Sequence, residues 1–156
     1  MAIFISGMRC TISGCLIDSA KNAVAFPAFV ANEADRLYIF NDAVVHESVF
    51  RGHALTGAVK VRLESALQNA LPTNRRCRIC NQLVTDPNDY LALGHLVEAQ
   101  SQPLYKFNYA HYHRSCLKTW KDLPELMADL IKLNSSDAWQ GAALDRLIEA
   151  LRSTTS

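Results

Sequence analysis

An internal repeat constrains this chain more than any other feature. Residues 9–48 align without a gap on residues 76–115, at an offset of 67 positions, and 13 of the 40 aligned pairs are identical. Ordinary residue usage would give about two or three identities. We call residues 9–49 the first module and residues 76–116 the second module. Two copies of one segment predict a doubled module, and not the long stack of a solenoid protein.

The second module carries four residues with the spacing of a zinc site. Cys77 and Cys80 form a Cys-x-x-Cys pair, and His113 and Cys116 follow near the end of the module. Thiolate sulfur and imidazole nitrogen are the ligands of tetrahedral Zn²⁺. Asn81 tolerates the left-handed backbone that closes a Cys-x-x-Cys turn. His113 and Cys116 are three positions apart, which places them on one face at the start of a helix, where the helix N-terminus favours a thiolate. The sequence therefore predicts one zinc ion in the second module.

The order of a cysteine knuckle, a hairpin and a helix with the last two ligands resembles a treble-clef zinc finger. The ligand set is similar to that of LIM domains, and its long central spacing is similar to that of fingers of the poly(ADP-ribose) polymerase type. The resemblance covers the length of one module and rests on the four ligands. It implies an α+β chain of two tandem treble-clef-like modules packed with additional C-terminal helices. Segments 90–93 and 104–107 are predicted to form the hairpin, and Asn108 is predicted to cap the helix.

The first module keeps only part of the zinc pattern. Its four corresponding positions are Cys10, Ser13, His46 and Val49. This predicts a finger-like fold held by packing in place of metal. A second zinc site remains an alternative, although its spacing fits no standard knuckle. Its ligands would be Cys10, Cys15, His46 and His53.

Three helical patterns complete the chain, at residues 58–71, 123–133 and 136–151. Pro72 ends the first, Pro124 suits the first turn of the second, and Ser136 is a cap for the third. Their apolar stripes are predicted to pack against the modules and each other. The predicted domains are residues 1–72, 73–122 and 123–156, which we expect to form one compact unit.

Charge is distributed unevenly along the chain. The net formal charge is zero over residues 1–72, +4 over residues 73–121 and −3 over residues 122–156. Basic and aromatic residues alternate in the middle segment, as on surfaces that bind nucleic acid. The candidate contacts are Arg75, Arg76, Arg78, Lys106, Arg114 and Lys118. A second explanation, which we favour, is that these cations offset the net charge of −1 that three thiolates and Zn²⁺ create.

The predicted location is the cytoplasm, with no membrane span. The five cysteines are an odd number, which argues against a framework of disulfides, and the first residues lack a secretory pattern. No apolar run in the sequence is long enough to cross a bilayer as a helix.

Catalytic signatures such as a phosphate-binding glycine loop or a His-Glu-x-x-His motif are absent from the sequence. His-Asn-His nucleases share the treble-clef core, and His95, Asn108 and His111 occur in that order, but Gly94 stands where such nucleases carry an acidic residue. Four protein ligands leave zinc no open position for water, so the metal is predicted to be structural. The sequence therefore predicts a non-enzymatic zinc-binding adaptor with a protein partner. Nucleic-acid binding is the alternative, and a nuclease is a weaker third hypothesis.

Overall fold

Five α-helices and two small antiparallel sheets make up the fold in a computed structural model that describes residues 7–155. Residues 1–6 of the first predicted domain, Ser156 and the side chain of Thr155 lie outside the described part. This composition confirms an α+β chain. In that part, no helix is both long enough and apolar enough to cross a bilayer. The elements are β1 (Ala23–Ala25), β2 (Val44–His46), α1 (Glu47–Gly52), α2 (Thr56–Ala70), β3 (Tyr90–Ala92), β4 (His111–His113), α3 (Arg114–Leu117), α4 (Leu123–Asn134) and α5 (Ala143–Thr155).

The two modules have the same local architecture. Strand β1 pairs with β2 in the register Ala23↔His46, and β3 pairs with β4 in the register Tyr90↔His113, which joins the equivalent positions of the second module. In each module an antiparallel bridge closes the knuckle, between Arg9 and Leu16 in the first module and at the corresponding positions 76 and 83 in the second. In both, the second strand runs directly into a short helix. The sequence correspondence is therefore matched by a correspondence of backbone structure.

The predicted hairpin has a different second strand. Strand β3 pairs with β4 at residues 111–113, whereas Pro103–Phe107 forms a 3₁₀ helix. Leu104 and Phe107 are both buried and lie three positions apart, which is the repeat of a 3₁₀ helix and not that of a strand. The apolar pattern of this segment is thus explained by a helical turn.

Asn108 does not cap helix α3, as the sequence had suggested, because α3 begins only at Arg114, with His113 at its N-cap. The Asn108 side-chain oxygen instead accepts hydrogen bonds from the N–H groups of Leu96 and Val97, at 2.7 and 3.2 Å. Its amide nitrogen donates to the carbonyl of Val97 at 2.7 Å. Asn41 holds the same place in the first module, where its oxygen accepts from two backbone N–H groups at 2.7 and 2.8 Å. Each asparagine therefore clamps the loop that follows the first strand of its module.

The described residues divide into two compact units. One contains residues 7–30 and 35–65, and the other contains residues 31–34 and 66–155. The predicted segments 73–122 and 123–156 thus belong to one unit. That the predicted domains form one compact unit stays a prediction.

Each unit has its own hydrophobic cluster. In the first unit Phe26, Phe40 and Phe50 pack edge to face, with ring centroids 4.9–5.8 Å apart. In the second unit the cluster joins the second module to α4 and α5, and its most buried members are Tyr112, Leu117, Leu126, Leu130, Leu144 and Leu151.

Of the last two helical patterns, the first was predicted correctly, whereas the second was predicted to begin too early, with Ser136 as its cap. Helix α4 ends at Asn134, near the predicted break. Helix α5 begins at Ala143, so Trp139 lies in the preceding loop, where it is buried. Gly141 has a φ of 91°, a left-handed conformation that interrupts a right-handed helix. Helix α2 buries Val59, but Leu67 of its predicted stripe is 54% exposed.

Candidate metal centre

The four predicted ligands come from the knuckle and from the end of strand β4. The knuckle closes through the Cys77 N–H, which donates to the carbonyl of Gln82 at 2.8 Å, and through Asn81, whose φ of 60° permits the turn. His113 is the last residue of β4, and Cys116 is the third residue of α3. The Arg78 N–H donates to the carbonyl of His111 at 2.8 Å, which holds the knuckle beside β4.

The structure brings these four side chains together. Their ligand atoms all lie within 4.8 Å of one another. The Nδ1 atom of His113 is 3.4 Å from Cys80 Sγ and 3.9 Å from Cys116 Sγ. Tetrahedral Zn²⁺, with Zn–S about 2.3 Å and Zn–N about 2.0–2.1 Å, requires a sulfur-to-nitrogen distance of about 3.6 Å. The cluster Cys77, Cys80, His113 and Cys116 is therefore compatible with one zinc ion.

Cys77 and Cys116 have pKa values shifted in opposite directions. Burial disfavours the thiolate of Cys77, but the N–H groups of Cys80, His113 and Ile79 point at its sulfur and lower its pKa to about 6. Burial and the adjoining sulfurs of Cys80 and Cys77 raise the pKa of Cys116 to about 12. A divalent cation bound among them favours the ionised form of every thiol that ligates it. The chemistry of this donor set thus fits a metal ion that neutralises crowded sulfurs.

Sequence reasoning missed Asp89, which positions the helix that carries Cys116. The Asp89 carboxylate accepts hydrogen bonds from the N–H and the hydroxyl of Ser115, both at 2.8 Å. The N–H bond is the main reason why the pKa of Asp89 lies below its usual value. Asp89 immediately precedes β3, so this contact depends on strand pairing, and no local motif marks it.

His111 lies beside the cluster but is not one of its ligands. Its ring is buried, and its Nδ1 is 2.9 Å from the hydroxyl of Tyr90. Burial lowers the pKa of His111, although the backbone of Asn69 acts in the opposite direction. His111 is therefore a neutral, structural histidine at neutral pH.

The alternative second site in the first module is not assembled. Among residues 7–154, the second-module cluster is the one group of three or more histidine, cysteine or acidic side chains at ligand distances. Cys15 is exposed, and its carbonyl accepts the Cys10 N–H at 2.8 Å where the knuckle turn closes. The Nδ1 of His53 accepts the N–H of Leu55 at 3.1 Å, and its ring packs edge-on against Phe40. Cys10, Cys15, His46 and His53 thus do not form a ligand set.

Most of the candidate nucleic-acid contacts have partners within the chain. Arg75 donates to the carbonyl of Ala70 at 2.8 and 3.1 Å and lies over the ring of Tyr90. Arg76 donates to the carbonyl of Asn81 at 3.4 Å.

The remaining cations differ from one another. The charged groups of Arg78 and Lys106 lie 5.2 and 4.9 Å from the ring centroid of Phe107. Arg114 donates to the carbonyl of Tyr90 and to the hydroxyl of Thr154. Lys118 is exposed and lines a cavity of about 380 Å³ with Arg114. Arg75, Arg76, Arg78, Lys106 and Arg114 thus all have contacts within the chain.

The three residues of the nuclease hypothesis also have structural contacts. The amide of Asn108 bonds to the backbone through both its oxygen and its nitrogen. His95 packs beside the ring of Tyr109, with centroids 5.8 Å apart, and its Nε2 is 3.9 Å from Glu98. His111 contacts Tyr90, as described above.

Comparisons of the chain with protein-family models, with curated proteins and with solved structures found no match.

Proposed function

We propose that this chain is a non-enzymatic adaptor whose second module is a treble-clef finger with a structural zinc ion. The observation that carries the proposal is the cluster of three cysteines and one histidine within 4.8 Å. Four protein ligands complete a tetrahedron, so a zinc ion bound there has no position for a reacting water. Its role is to stabilise the module, because the free energy of metal binding adds to the free energy of folding.

Two exposed cysteines provide a matched test of the zinc site. Cys80 belongs to the cluster, whereas Cys15 does not. Loss of a residue that only hydrogen-bonds to a metal ligand weakens metal affinity by about 10–100-fold. Cys80→Ser removes a ligand itself, so we expect it to weaken zinc binding by more than about 100-fold. Cys15→Ser should leave the affinity unchanged. Competition with a chromogenic chelator measures both, and equal affinities for the two variants would contradict the site.

The adaptor role is supported by exposed residues that recur in both modules. Leu16 and Leu83 are identical partners in the alignment, and they are 51% and 38% exposed. Tyr38 and Tyr105 are likewise identical and 36% and 37% exposed. Exposed apolar and aromatic side chains are common in protein interfaces. Two modules with the same exposed side chains are suited to bind a protein partner at two similar surfaces.

Affinity capture from native lysate tests this role. The bait is the zinc-loaded chain, and the comparison is the variant Leu16→Glu/Leu83→Glu, which changes two exposed residues. We expect the bait to retain a protein partner after nuclease treatment and the variant to lose it. Capture that the variant preserves would show that these leucines are not the interface.

Nucleic-acid binding is the second candidate function, favoured by the net charge of +4 on residues 73–121. Arg76, Arg78, Lys106 and Lys118 are exposed. A gel shift with short duplex and single-stranded DNA distinguishes this function from the adaptor role. Phosphate contacts make log affinity fall linearly with log salt, and Lys118→Ala should reduce that slope by about one. No shift at low salt would exclude this candidate.

A further inference from the structure

The first module retains the backbone frame that presents the four ligands in the second. In both knuckles the N–H of the first cysteine donates at 2.8 Å to the carbonyl five positions later. Gly14 and Asn81 occupy the same place with φ values of 70° and 60°. The N–H groups of His46 and His113 each donate at 3.4 Å to the sulfur of the first cysteine of their module. Each histidine also stands at the N-cap of the following helix, with ψ values of 134° and 133°.

The four ligand positions also match in exposure. Cys10 and Cys77 are both 1% exposed. Ser13 is exposed like Cys80, and His46 is half-buried like His113. Val49, which replaces Cys116, is half-buried as well. Each of the four positions therefore lies at the same depth in both modules.

His46 is held in an orientation that suits a metal ligand. Its Nε2 lies 3.1 Å from the carbonyl oxygen of Leu16, so this nitrogen is placed to donate its proton there. Metal-binding histidines commonly fix their second nitrogen to a carbonyl in this way, which leaves the other nitrogen for the metal. In the second module Nδ1 is the nitrogen that faces Cys80 and Cys116.

We infer that the first module is a dormant zinc site, that is, a site with the backbone frame and two of the four ligands. Cys10 and His46 are those ligands, and Ser13 and Val49 occupy the positions of the two missing cysteines. The inference rests on the proposed function, because it takes the second-module cluster as a zinc site. It predicts that Ser13→Cys together with Val49→Cys creates a second tetrahedral site for Zn²⁺ or Co²⁺.

Packing explains how the first module keeps this frame without a metal. Val49 packs against the hydrophobic cluster of its unit. Phe26 and Phe50, which belong to the aromatic group in that cluster, correspond to Leu93 and Leu117 at the offset of the repeat. Larger side chains bury more apolar area and replace part of the stability that a metal would supply.

The experiment compares three proteins, all with Cys15→Ser so that the exposed thiol beside the knuckle cannot bind metal. The first has no other change, the second adds Ser13→Cys/Val49→Cys, and the third adds Ser13→Cys/Val49→Ser. The third loses the valine in the same way but has only three ligands. Each is titrated with Co²⁺, whose tetrahedral thiolate complexes absorb in the visible range, and bound zinc is then counted by elemental analysis.

We expect one metal in the first protein and two in the second, and we expect the third to bind a second metal much more weakly than the second protein does, because water must supply its fourth ligand. One metal in both the first and second proteins would overturn the dormant site and leave the proposed function intact. No metal in the first protein would contradict the proposed function. In that case, one metal ion bound to the second protein would still support the dormant site, and none would overturn it. If the second protein is unfolded without metal, folding that requires two zinc ions per chain supports the inference, and failure to fold overturns it.

Discussion

Two tyrosines of the second module place their hydroxyl groups in opposite situations. Tyr112 is completely buried, and within the described residues its hydroxyl has no hydrogen-bond partner. The hydroxyl of Tyr90 lies 2.9 Å from Nδ1 of His111. Burial raises the pKa of Tyr112 to about 12, so the group stays protonated at neutral pH. The ring of Tyr112 therefore contributes apolar packing, while its hydroxyl carries a desolvation cost.

Removing each hydroxyl should change stability in opposite directions. Tyr112→Phe is expected to raise the free energy of unfolding by about 1–3 kcal/mol, the usual cost of an unsatisfied buried polar group. Tyr90→Phe should lower it by about 0.5–1.5 kcal/mol, because it removes one hydrogen bond. Urea unfolding of the zinc-loaded protein measures both. A loss of stability in Tyr112→Phe would show that the hydroxyl has a partner.

Single residues differ in how far the sequence predicts them. The four ligands could be located because their spacing is local and the repeat excludes His111, which aligns with Val44. Asp89 could not, since its bond to Ser115 forms only when β3 pairs with β4. A contact between residues that are far apart in sequence produces no periodic pattern from which it could be predicted.

The segment around Asn108 was the hardest element to predict from the sequence. The sequence suggested a strand at residues 104–107 and a helix cap at Asn108, and both were wrong for the same reason. The 3₁₀ helix at Pro103–Phe107 ends beside the loop at residues 96–97. There the side-chain oxygen of Asn108 accepts hydrogen bonds from two backbone N–H groups of the loop. Local sequence patterns do not predict a side chain that bonds to backbone groups 11 and 12 residues away.

The asparagine clamps can be compared directly between the modules. Asn108→Ala leaves two backbone N–H groups without their acceptor, and so does Asn41→Ala. We expect each variant to lose about 1–3 kcal/mol of stability. Hydrogen exchange should show faster exchange at residues 96–97 in the first variant and at residues 29–30 in the second. Unchanged exchange at those amides would contradict the clamp.

At the scale of the whole molecule, the described residues form two hydrophobic clusters but one candidate metal site. Chelation of zinc should therefore act unequally on the two units. We expect hydrogen exchange to accelerate in residues 76–116 and in α4 and α5, because the second module shares its cluster with these helices. Residues 23–26 and 44–50 should stay protected by the aromatic group of the first unit.

Hydrogen exchange with and without a chelator, followed by mass spectrometry of peptides, measures this difference. Re-addition of zinc should restore protection and serves as the control for irreversible damage. Equal acceleration throughout residues 7–155 would instead support the single compact unit that the sequence suggested.

The loop at residues 31–34 has a consequence for any attempt to express one unit alone. It lies within the sequence of the first module, yet the side chain of Asn32 bonds to the backbone of Ala138 and Gln140 at 2.8 and 2.9 Å. A fragment that starts at residue 66 lacks this loop, and a fragment that ends at residue 65 carries it without those partners. No single cut in the chain yields either unit complete, so fragment boundaries chosen from the repeat alone would divide a hydrogen-bonded pair of segments.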